Sequence, residues 1–467
     1  MSVDTTGNSS STLSRARRII QVLDHLGIEK AHFAARLSSD WYELVSAYPN
    51  RISSFTLVCL NLIEVSTLKA IAARSLIISG DQPPYAEQVS QTLSQLPAAK
   101  QLILKGYADF NWNDPIAEYP DLIKEGLFKF LDSMRHGSAV FRSQSFPALS
   151  GDVAEVSFQL QGNGEPLVLL PLGLSPSQWD KILPALSDRY FTVLLGGPEL
   201  GTVAGLEYRG RTAGYQRLFR NMAYELRLEP GGTILDVGCG SGVMDRWLAR
   251  HTACQNPIVG VDQNPYLLRE AARLVKQEGL EAVIQLREGN ALALPFADNS
   301  FDVVISSTVM EEVDASVMLA ELVRVTKPAG RIGVIVRAND LPYFSGMRVR
   351  PELTAKSEAI FVGGVSRSGC ADGSLYRRFH QIGLTDVRVL PDLTVFTDIH
   401  SSIVAMIQRT LVASLTPDEA TEWHAAVERA VKDGTFFMTA PHHCAVGTKP
   451  LKGALMEGTP VTVGEPR

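Results

Sequence analysis

Apolar and polar residues follow two periods along most of this 467-residue chain. Short apolar runs, typical of buried strands, alternate with stretches in which apolar residues recur every three or four positions, as in amphipathic helices. In the first part of the chain this alternation favours a parallel sheet with helices on its faces. The predicted elements are a helix at 14–26, a strand at 31–35, a helix at 40–48, strands at 52–59, 73–79 and 101–104, and a helix at 120–134.

One segment of the second part carries most of the chemical information. Residues 234–242 read Ile-Leu-Asp-Val-Gly-Cys-Gly-Ser-Gly, and a helical pattern follows at residues 243–250. Glycines let the backbone bend sharply and let a ligand approach where a Cβ would block it. The start of a helix adds unpaired N–H groups and a partial positive charge. The segment therefore predicts a strand, a ligand-binding loop and a helix.

Three further patterns follow this loop in order. Residues 257–262 form a strand pattern that ends in Asp262, an acid placed to accept both ribose hydroxyls of an adenosine ligand. Residues 286–291 lead to a strand pattern within 294–305, and residues 323–335 read as a helix end, a Pro–Gly turn and a strand.

As a set, the four patterns resemble the class I S-adenosylmethionine-dependent methyltransferases of the small-molecule type, similar to the quinone and natural-product methylases. The resemblance covers residues 205–450 and implies a Rossmann-like, seven-stranded α/β sheet with S-adenosyl-L-methionine as cofactor. A nicotinamide dinucleotide site also needs glycines followed by an acid. It is disfavoured because the glycine spacing is GxGxG rather than GxGxxG, and because the Leu-Pro-Phe run after Asn290 and the Phe-Asp pair beyond it resemble the methyltransferase pattern.

The resemblance also implies which residues bind the cofactor. Asp236 would hydrogen-bond the cofactor amine or the loop, and Asn290 stands where the family usually has Asp but can still accept a hydrogen bond from the adenine amine. Asp262 would bind the ribose; the alternative is a turn or helix-cap residue before Asn264. The full set implied is Asp236, Gly238, Gly240, Gly242, Asp262, Gln263, Asn290, Ala291 and Ser306.

The cofactor would supply a methyl group on a sulfonium cation, and the protein must hold donor and acceptor within attack distance. Ser306 and Thr308 would lie at the strand end that faces this methyl group. The family often carries a histidine just beyond, where this chain has Glu311 and Glu312. These two acids are the predicted catalytic residues, which orient or deprotonate the acceptor; the alternative is a solvated helix start, where acids are favoured.

The acceptor is expected to contact two segments, residues 206–227 and 338–375. The second contains apolar and aromatic residues beside two arginines, which favours an apolar or aromatic metabolite, although the same residues would serve as packing under a lid. A helical stretch at 401–432 would cover the pocket. The residues concerned are Tyr343, Phe344, Met347, Arg348, Arg350 and Phe361. The predicted function is thus methyl transfer to the oxygen, nitrogen or carbon of a small metabolite; the alternative is a non-catalytic assembly or carrier protein with a vestigial cofactor site.

No metal site is expected. His442 and His443 lie in a strand pattern at 436–447, and an alternating strand points only one of two neighbours inward. The five cysteines are scattered, which is typical of a reducing cytoplasm.

The first part of the chain resembles an α/β-hydrolase whose halves are in swapped order. Residues 15–135 look like the second half of that fold, and residues 153–200 look like the first half, with the region of an oxyanion-hole loop at 171–179. We therefore predict a second α/β sheet of circularly permuted, hydrolase-like topology over residues 15–200. The alternative, fragments of two degenerate domains, would leave unpaired sheet edges.

The catalytic residues of that family are missing. No GxSxG follows the strand at 31–35, and the nucleophile position falls near Ala35. The acid position holds Pro83 and the histidine position holds Asp109. Ser38 or Ser39 would lack a histidine partner, so this domain is predicted to be a pseudoenzyme.

Charge and hydropathy indicate which classes of partner and location to expect. The net charge is −6 without a basic block, so nucleic acid is not an expected partner. No apolar run reaches the roughly 18 residues that a membrane span requires. No long apolar run of the signal-peptide type occurs at the start of the sequence. Residues 1–14 are predicted to be disordered, and residues 451–467 are predicted to form a flexible C-terminal tail. A cytoplasmic protein that binds a small methyl acceptor is expected, and a homodimer is left open.

Overall fold

The computed structural model describes residues 14–36, 38–59, 65–83, 86–108, 113–134, 140–197, 200–359, 365–399, 402–412 and 414–451. The two termini predicted to be disordered or flexible fall almost wholly outside these residues, as do Asp109 and Phe361. Among the described residues, the fold is mixed α/β with two large sheets of eight strands each.

The first unit follows the predicted alternation of strands and helices. Its elements are α1 (Arg15–His25), β1 (Ala31–Ala35), α2 (Ser38–Ala47), β2 (Ile52–Val58), α3 (Val65–Lys69), β3 (Ser75–Gln82), α4 (Ala86–Ser94), β4 (Lys100–Ala108), α5 (Pro115–Glu118), α6 (Pro120–Ser133), β5 (Phe141–Arg142), β6 (Ser150–Val153), β7 (Val156–Gln161), β8 (Asn163–Gly164), β9 (Pro166–Leu169), α7 (Leu183–Ser187) and β10 (Phe191–Gly196).

The two predicted halves of this unit join in one sheet. The strand order is β4-β3-β2-β1-β9-β10-β7-β6, and β1 pairs in parallel with β9, as in the register of His32 with Leu167. All neighbours from β4 to β10 are parallel, whereas β7 runs antiparallel to β10 and to β6. A single sheet is what swapped halves require; the likeness to α/β-hydrolases stays a prediction.

Helices cover both faces of this sheet, so its central strands are apolar throughout rather than alternating. Every residue of β1, β9 and β10 is buried. Trp41 lies in the apolar cluster on one face and Trp179 in the cluster on the other.

The second unit contains the glycine loop. Its elements are α8 (Gly201–Arg211), α9 (Ala213–Leu226), β11 (Ile234–Val237), α10 (Val243–His251), β12 (Ile258–Asp262), α11 (Pro265–Gln277), β13 (Ile284–Glu288), β14 (Phe301–Ser307), α12 (Ala315–Val325), β15 (Thr326–Arg337), α13 (Pro351–Glu358), α14 (Ser374–Gln381), β16 (Thr385–Val389), β17 (Asp392–Phe396), α15 (Ser402–Val412), α16 (Pro417–Lys432) and β18 (Met438–Thr448).

Its sheet has the order β13-β12-β11-β14-β15-β18-β16, with β17 also paired to β18. This order has the seven predicted strand positions, and β17 is an eighth strand that shares the edge of β18 with β16. The strands from β13 to β15 are parallel and β18 is antiparallel to β15. The carboxyl ends of β11, β12 and β14 therefore meet at one edge, where open α/β sheets bind ligands.

A separate apolar cluster lies beside the sheet and is built partly from α15 and α16. Tyr343 and Met347 are buried in it with Trp423, whereas Phe344 is 41% exposed. Tyr343 and Met347 therefore have a packing role, one of the two alternatives open from the sequence. Helix α16 begins after Thr416 through a capping box.

The first unit contacts the second mainly through α11. The Arg269 guanidinium lies 3.0 Å from the Asp114 carboxylate, and the Tyr266 hydroxyl donates to Glu118 at 3.4 Å. Leu174 of the first unit packs with Leu267 of α11. Among the described residues no helix is both long and apolar enough to cross a membrane.

Candidate active site

The glycine loop has the backbone that its sequence predicts. Gly238, Gly240 and Gly242 have φ values of +77°, +56° and +71°, in the left-handed region that favours glycine. A Cβ on Gly238 would lie 2.2 Å from Cγ2 of Val309. Gly242 is the N-cap of α10, so the loop leads directly into the positive end of a helix.

Asp262 links this loop to the next strand. One of its carboxylate oxygens accepts a hydrogen bond from the Gly240 N–H at 2.9 Å, and the other accepts from the Asn264 N–H at 2.8 Å. Burial raises the pKa of Asp262, and these backbone hydrogen bonds oppose the rise. The helix cap is Asn264, which accepts from the Tyr266 and Leu267 N–H groups. Asp262 is therefore not the cap, and its carboxylate is held in place beside the loop.

Two buried carboxyl groups lie under the loop: Asp236, which the sequence singled out, and Asp245, which it did not. Asp236 is 2% exposed and Asp245 is fully buried. Burial raises the pKa of Asp236 well above its usual range, and the neighbouring Asp245 adds to the rise. Burial also raises the pKa of Asp245, to about 7. A Cβ on Gly260 would lie 2.5 Å from Asp245 Oδ2, so this glycine makes room for the pair.

The predicted adenine and ribose residues lie side by side. Asn290 follows the end of β13, its Oδ1 accepts from the Leu292 N–H at 2.9 Å, and its side chain is exposed. The Gly289 N–H donates to the Asp262 carbonyl at 3.0 Å, which ties the two strand ends together. Gln263 is exposed and Ala291 is half-buried at the same edge.

Ser306 does not occupy the position expected of a cofactor-binding side chain. It is fully buried and its hydroxyl donates to the Val237 carbonyl at 2.7 Å, which joins β14 to β11. Because β14 is covered on both faces, the strand end alone did not reveal which way this side chain points. Only the backbone of Ser306 is left for a cofactor contact. Thr308, at φ +57°, comes directly after the strand.

The two predicted catalytic acids have different surroundings. Glu311 is fully buried, its Oε1 accepts from the Arg337 N–H at 2.7 Å, and burial raises its pKa to about 7. Its side chain thus joins the loop after β14 to the end of β15 and does not face open space. Glu312 is exposed; partial enclosure raises its pKa, while Arg337 and Arg209 lower it. Of the two, Glu312 is the one accessible to an acceptor.

Both neighbouring histidines of β18 are buried. The expectation that only one of them points inward was wrong, because helices cover both faces of this strand. The His442 ring lies edge-on to Tyr215 at 5.5 Å, and burial lowers its pKa to about 3, with Arg209 adding to the effect. His443 contacts the Asp340 carboxylate at 2.8 Å on the other face. No group of three potential metal ligands occurs among the residues that the structure describes.

The side of the site expected to hold the acceptor is lined by charged and aromatic groups. Arg209 of α8 lies against Tyr215 and Thr308, while Arg337 and Glu312 lie nearby. The sequence assigned residues 206–227 to acceptor binding but singled out none of them. Arg350, one of the two arginines proposed from the sequence, is instead engaged with Glu422 and Glu419 on α16.

Comparison with known proteins places the same segment in a known family. Residues 235–334 match the family model described as a methyltransferase domain. The chain is 34% identical over 112 residues to a demethylmenaquinone methyltransferase of Lactobacillus johnsonii, which covers 24% of this chain and 46% of that protein. It is 34% identical over 125 residues to a sterol 24-C-methyltransferase of Aspergillus fumigatus, covering 26% and 32%. The chain thus spans less than half the length of these curated relatives.

Solved structures were also matched, at low TM-scores. The crystal structure of the [4+2]-cyclase SpnF has a TM-score of 0.33 and 24% identity, covering 52% of this chain and 85% of that one. The geranyl diphosphate C-methyltransferase from Streptomyces coelicolor has a TM-score of 0.30 and 15% identity, covering 50% and 79%.

Proposed function

Because residues 235–334 form a methyltransferase domain, we propose that this protein transfers a methyl group from S-adenosylmethionine to a small, apolar or aromatic metabolite. The observation that carries the proposal is the contact of Asp262 with the glycine loop, 2.9 Å from the Gly240 nitrogen. An acid fixed at this point, beside a loop that cannot accept a Cβ at Gly238, suits an adenosyl ligand.

The residues present fit that cofactor. Its ribose hydroxyls would donate to Asp262, whose two oxygens are already oriented by backbone N–H groups. Its adenine would lie towards Asn290 and Ala291, next to Asp262 across the sheet edge. Gly238, Gly240 and the start of α10 would hold its methionine part.

When bound, the cofactor supplies an electrophilic methyl group on a sulfonium. The protein's contribution is to position the acceptor and to exclude water. Glu312 would orient the acceptor or take up the proton that the acceptor loses, because its carboxylate is exposed at the carboxyl end of the sheet. Glu311 would act through Arg337, whose backbone nitrogen it binds at 2.7 Å.

The first unit, in this proposal, is a hydrolase-like domain without hydrolytic activity. Ala35, at the expected nucleophile position, ends β1 and is fully buried. Arg36 follows it, 2% exposed, and its guanidinium donates to the Cys59 and Leu172 carbonyls. The first unit contacts α11 through Asp114 and Glu118, and α8 through Leu174. Its proposed role is therefore to support the cofactor domain.

Calorimetry with S-adenosylmethionine tests the function. Asp262→Ala should weaken binding by about 1–3 kcal/mol, roughly 5- to 150-fold, because charge-assisted hydrogen bonds are lost. Asp298→Ala is the matched control, since this exposed acid lies before the start of β14 and pairs with Arg324 at 2.9 Å. Binding by the parent and by the control, but not by Asp262→Ala, would justify a screen of aromatic and polyketide-like acceptors. No binding by the parent would favour the alternative of a carrier or assembly protein.

A further inference from the structure

Helix α8 contacts the glycine loop with one side and the end of β14 with the other. On the loop side, Glu207 accepts a hydrogen bond from the Ser241 hydroxyl at 2.7 Å. On the other side, Arg209 Nη2 lies 3.4 Å from the Thr308 hydroxyl oxygen. Arg209 is therefore placed at the carboxyl end of the sheet, where the acceptor is proposed to lie.

The guanidinium of Arg209 is held in a defined orientation. It lies over the Tyr215 ring, 4.8 Å from the ring centre. Tyr215 is itself fixed, because it is buried, its hydroxyl is 3.3 Å from Ser307 Oγ and its ring packs edge-on against His442. A stacked, planar guanidinium loses little further freedom when it binds a flat anion through two parallel hydrogen bonds.

No carboxylate of the described residues lies within ion-pair distance of Arg209, although Glu312 is near enough for Arg209 to lower its pKa. The buried Nε–H of Arg209 has no acceptor among the residues that the structure describes. The Nε–H groups of Arg331, Arg337 and Arg378 also lack an acceptor, but Arg337 differs from Arg209, as does Arg350, in having a carboxylate within ion-pair distance. Arg337 has Glu311 at 3.6 Å, and Arg350 has Glu422 at 3.3 Å. A buried N–H without an acceptor destabilises a protein unless a ligand or water satisfies it.

We propose that the methyl acceptor carries an anionic group, a carboxylate or a phosphate, which Arg209 binds. This inference rests on the proposed methyl transfer and adds the class of acceptor. Glu312, which lies near Arg209, repels an anion, so the acidic group lies at the Arg209 end. The atom that receives the methyl group lies nearer Glu312. The acceptor is thus an apolar or aromatic molecule with an acid at a distance from its nucleophilic atom.

The test measures binding of simple probes to the full-length protein saturated with S-adenosylhomocysteine. Benzoate, phenyl phosphate and the neutral benzamide are titrated and followed by ligand-observed NMR. At least one anion should bind about tenfold or more tightly than benzamide, and which anion does so distinguishes carboxylate from phosphate. Arg209→Gln should abolish this preference, and Arg209→Lys should keep only part of it because it lacks the planar fork. The control Arg220→Gln, on the exposed face of α9, should keep it in full.

Three results would overturn the inference. The first is equal binding of the anions and benzamide by the parent protein. The second is an unchanged anion preference in Arg209→Gln. The third is a loss of S-adenosylhomocysteine affinity in Arg209→Gln as large as the loss of anion affinity, since Arg209 would then bind the cofactor's own carboxylate. Failure of the parent to bind S-adenosylhomocysteine would instead reject the proposed function, and this inference with it.

Discussion

Asp236 and Asp245 place their carboxyl groups against each other beneath the glycine loop, both out of contact with solvent. Two adjacent buried carboxyl groups cannot both carry a charge at low cost, so they share a proton near neutral pH. Cys239 of the loop lies beside this pair, since a Cβ on Gly260 would approach both Asp245 Oδ2, at 2.5 Å, and Cys239 Sγ, at 3.0 Å. Burial raises the pKa of the Cys239 thiol, and Asp245 adds to the rise.

This pair makes stability depend on pH. The pKa of Asp245 is raised from 3.8 to about 7 in the folded protein, so the folded state binds more protons than the unfolded state between these values. The free energy of unfolding should therefore fall as pH rises from about 4 to about 7. Asp245→Asn should reduce this fall, because the amide can donate to Asp236 at any pH. Urea unfolding at pH 5, 6, 7 and 8 measures the slope; the exposed Asp298→Asn serves as control. An unchanged slope in Asp245→Asn would contradict the shared proton.

Gly238 is the glycine of the loop whose replacement should be most damaging. An alanine there would combine a left-handed backbone with a Cβ 2.2 Å from Val309 Cγ2. Binding of S-adenosylmethionine should be lost and the melting temperature lowered. Gly279→Ala is a matched control, since its φ is +68° and nothing lies within 4 Å of its Cβ. The control should lose only about 1–2 kcal/mol of stability from the left-handed backbone and should bind the cofactor normally. Equal effects of both variants would mean that the close contact at Gly238 is unimportant.

Elements with strong apolar patterns could be predicted from the sequence, whereas edge elements could not. The strands β1, β2, β12 and β14 lie within one or two residues of their predicted limits, because each is a buried apolar run. The edge strand β16 was not predicted, since most of its residues are exposed and carry no clear alternation.

Some residues of the candidate site could likewise be predicted from the sequence, and others could not. The glycines and Asp262 were recognisable because they belong to a contiguous motif with a local backbone requirement. Asp245 and Arg209 were not, because their roles depend on neighbours that the fold brings from other segments. Ser306 was assigned to the cofactor from its place at a strand end, and only the structure shows that its hydroxyl faces β11.

Glu311 and Glu312 should respond differently to substitution. Glu312→Gln should reduce kcat by about 10²-fold or more if its carboxylate takes up a proton, with little change in melting temperature because the side chain is exposed. Glu311→Ala should lower the free energy of unfolding by about 2–4 kcal/mol, since it removes the buried acceptor of the Arg337 N–H and leaves a cavity. Rates are measured as release of S-adenosylhomocysteine once an acceptor is known, and stability by thermal unfolding. A kcat unaffected by Glu312→Gln would show that proximity alone drives the transfer.

Arg269 connects the two units, and its removal should weaken the cofactor site from a distance. Its guanidinium pairs at 3.0 Å with Asp114, which is 1% exposed and also caps α5. Arg269→Ala would leave a buried carboxylate without its cation and should lower stability by about 1–3 kcal/mol, because Arg269 itself is partly exposed. Since α11 begins three residues after Asp262, looser docking of this helix should also reduce affinity for S-adenosylmethionine severalfold. Lys276→Ala, at an exposed position in the last turn of the same helix, is the control for loss of a surface cation. Calorimetry measures the affinity of both variants for S-adenosylmethionine, and thermal unfolding measures their stability. An unchanged affinity in Arg269→Ala, despite a lower melting temperature, would mean that the first unit stabilises the chain without acting on the cofactor site.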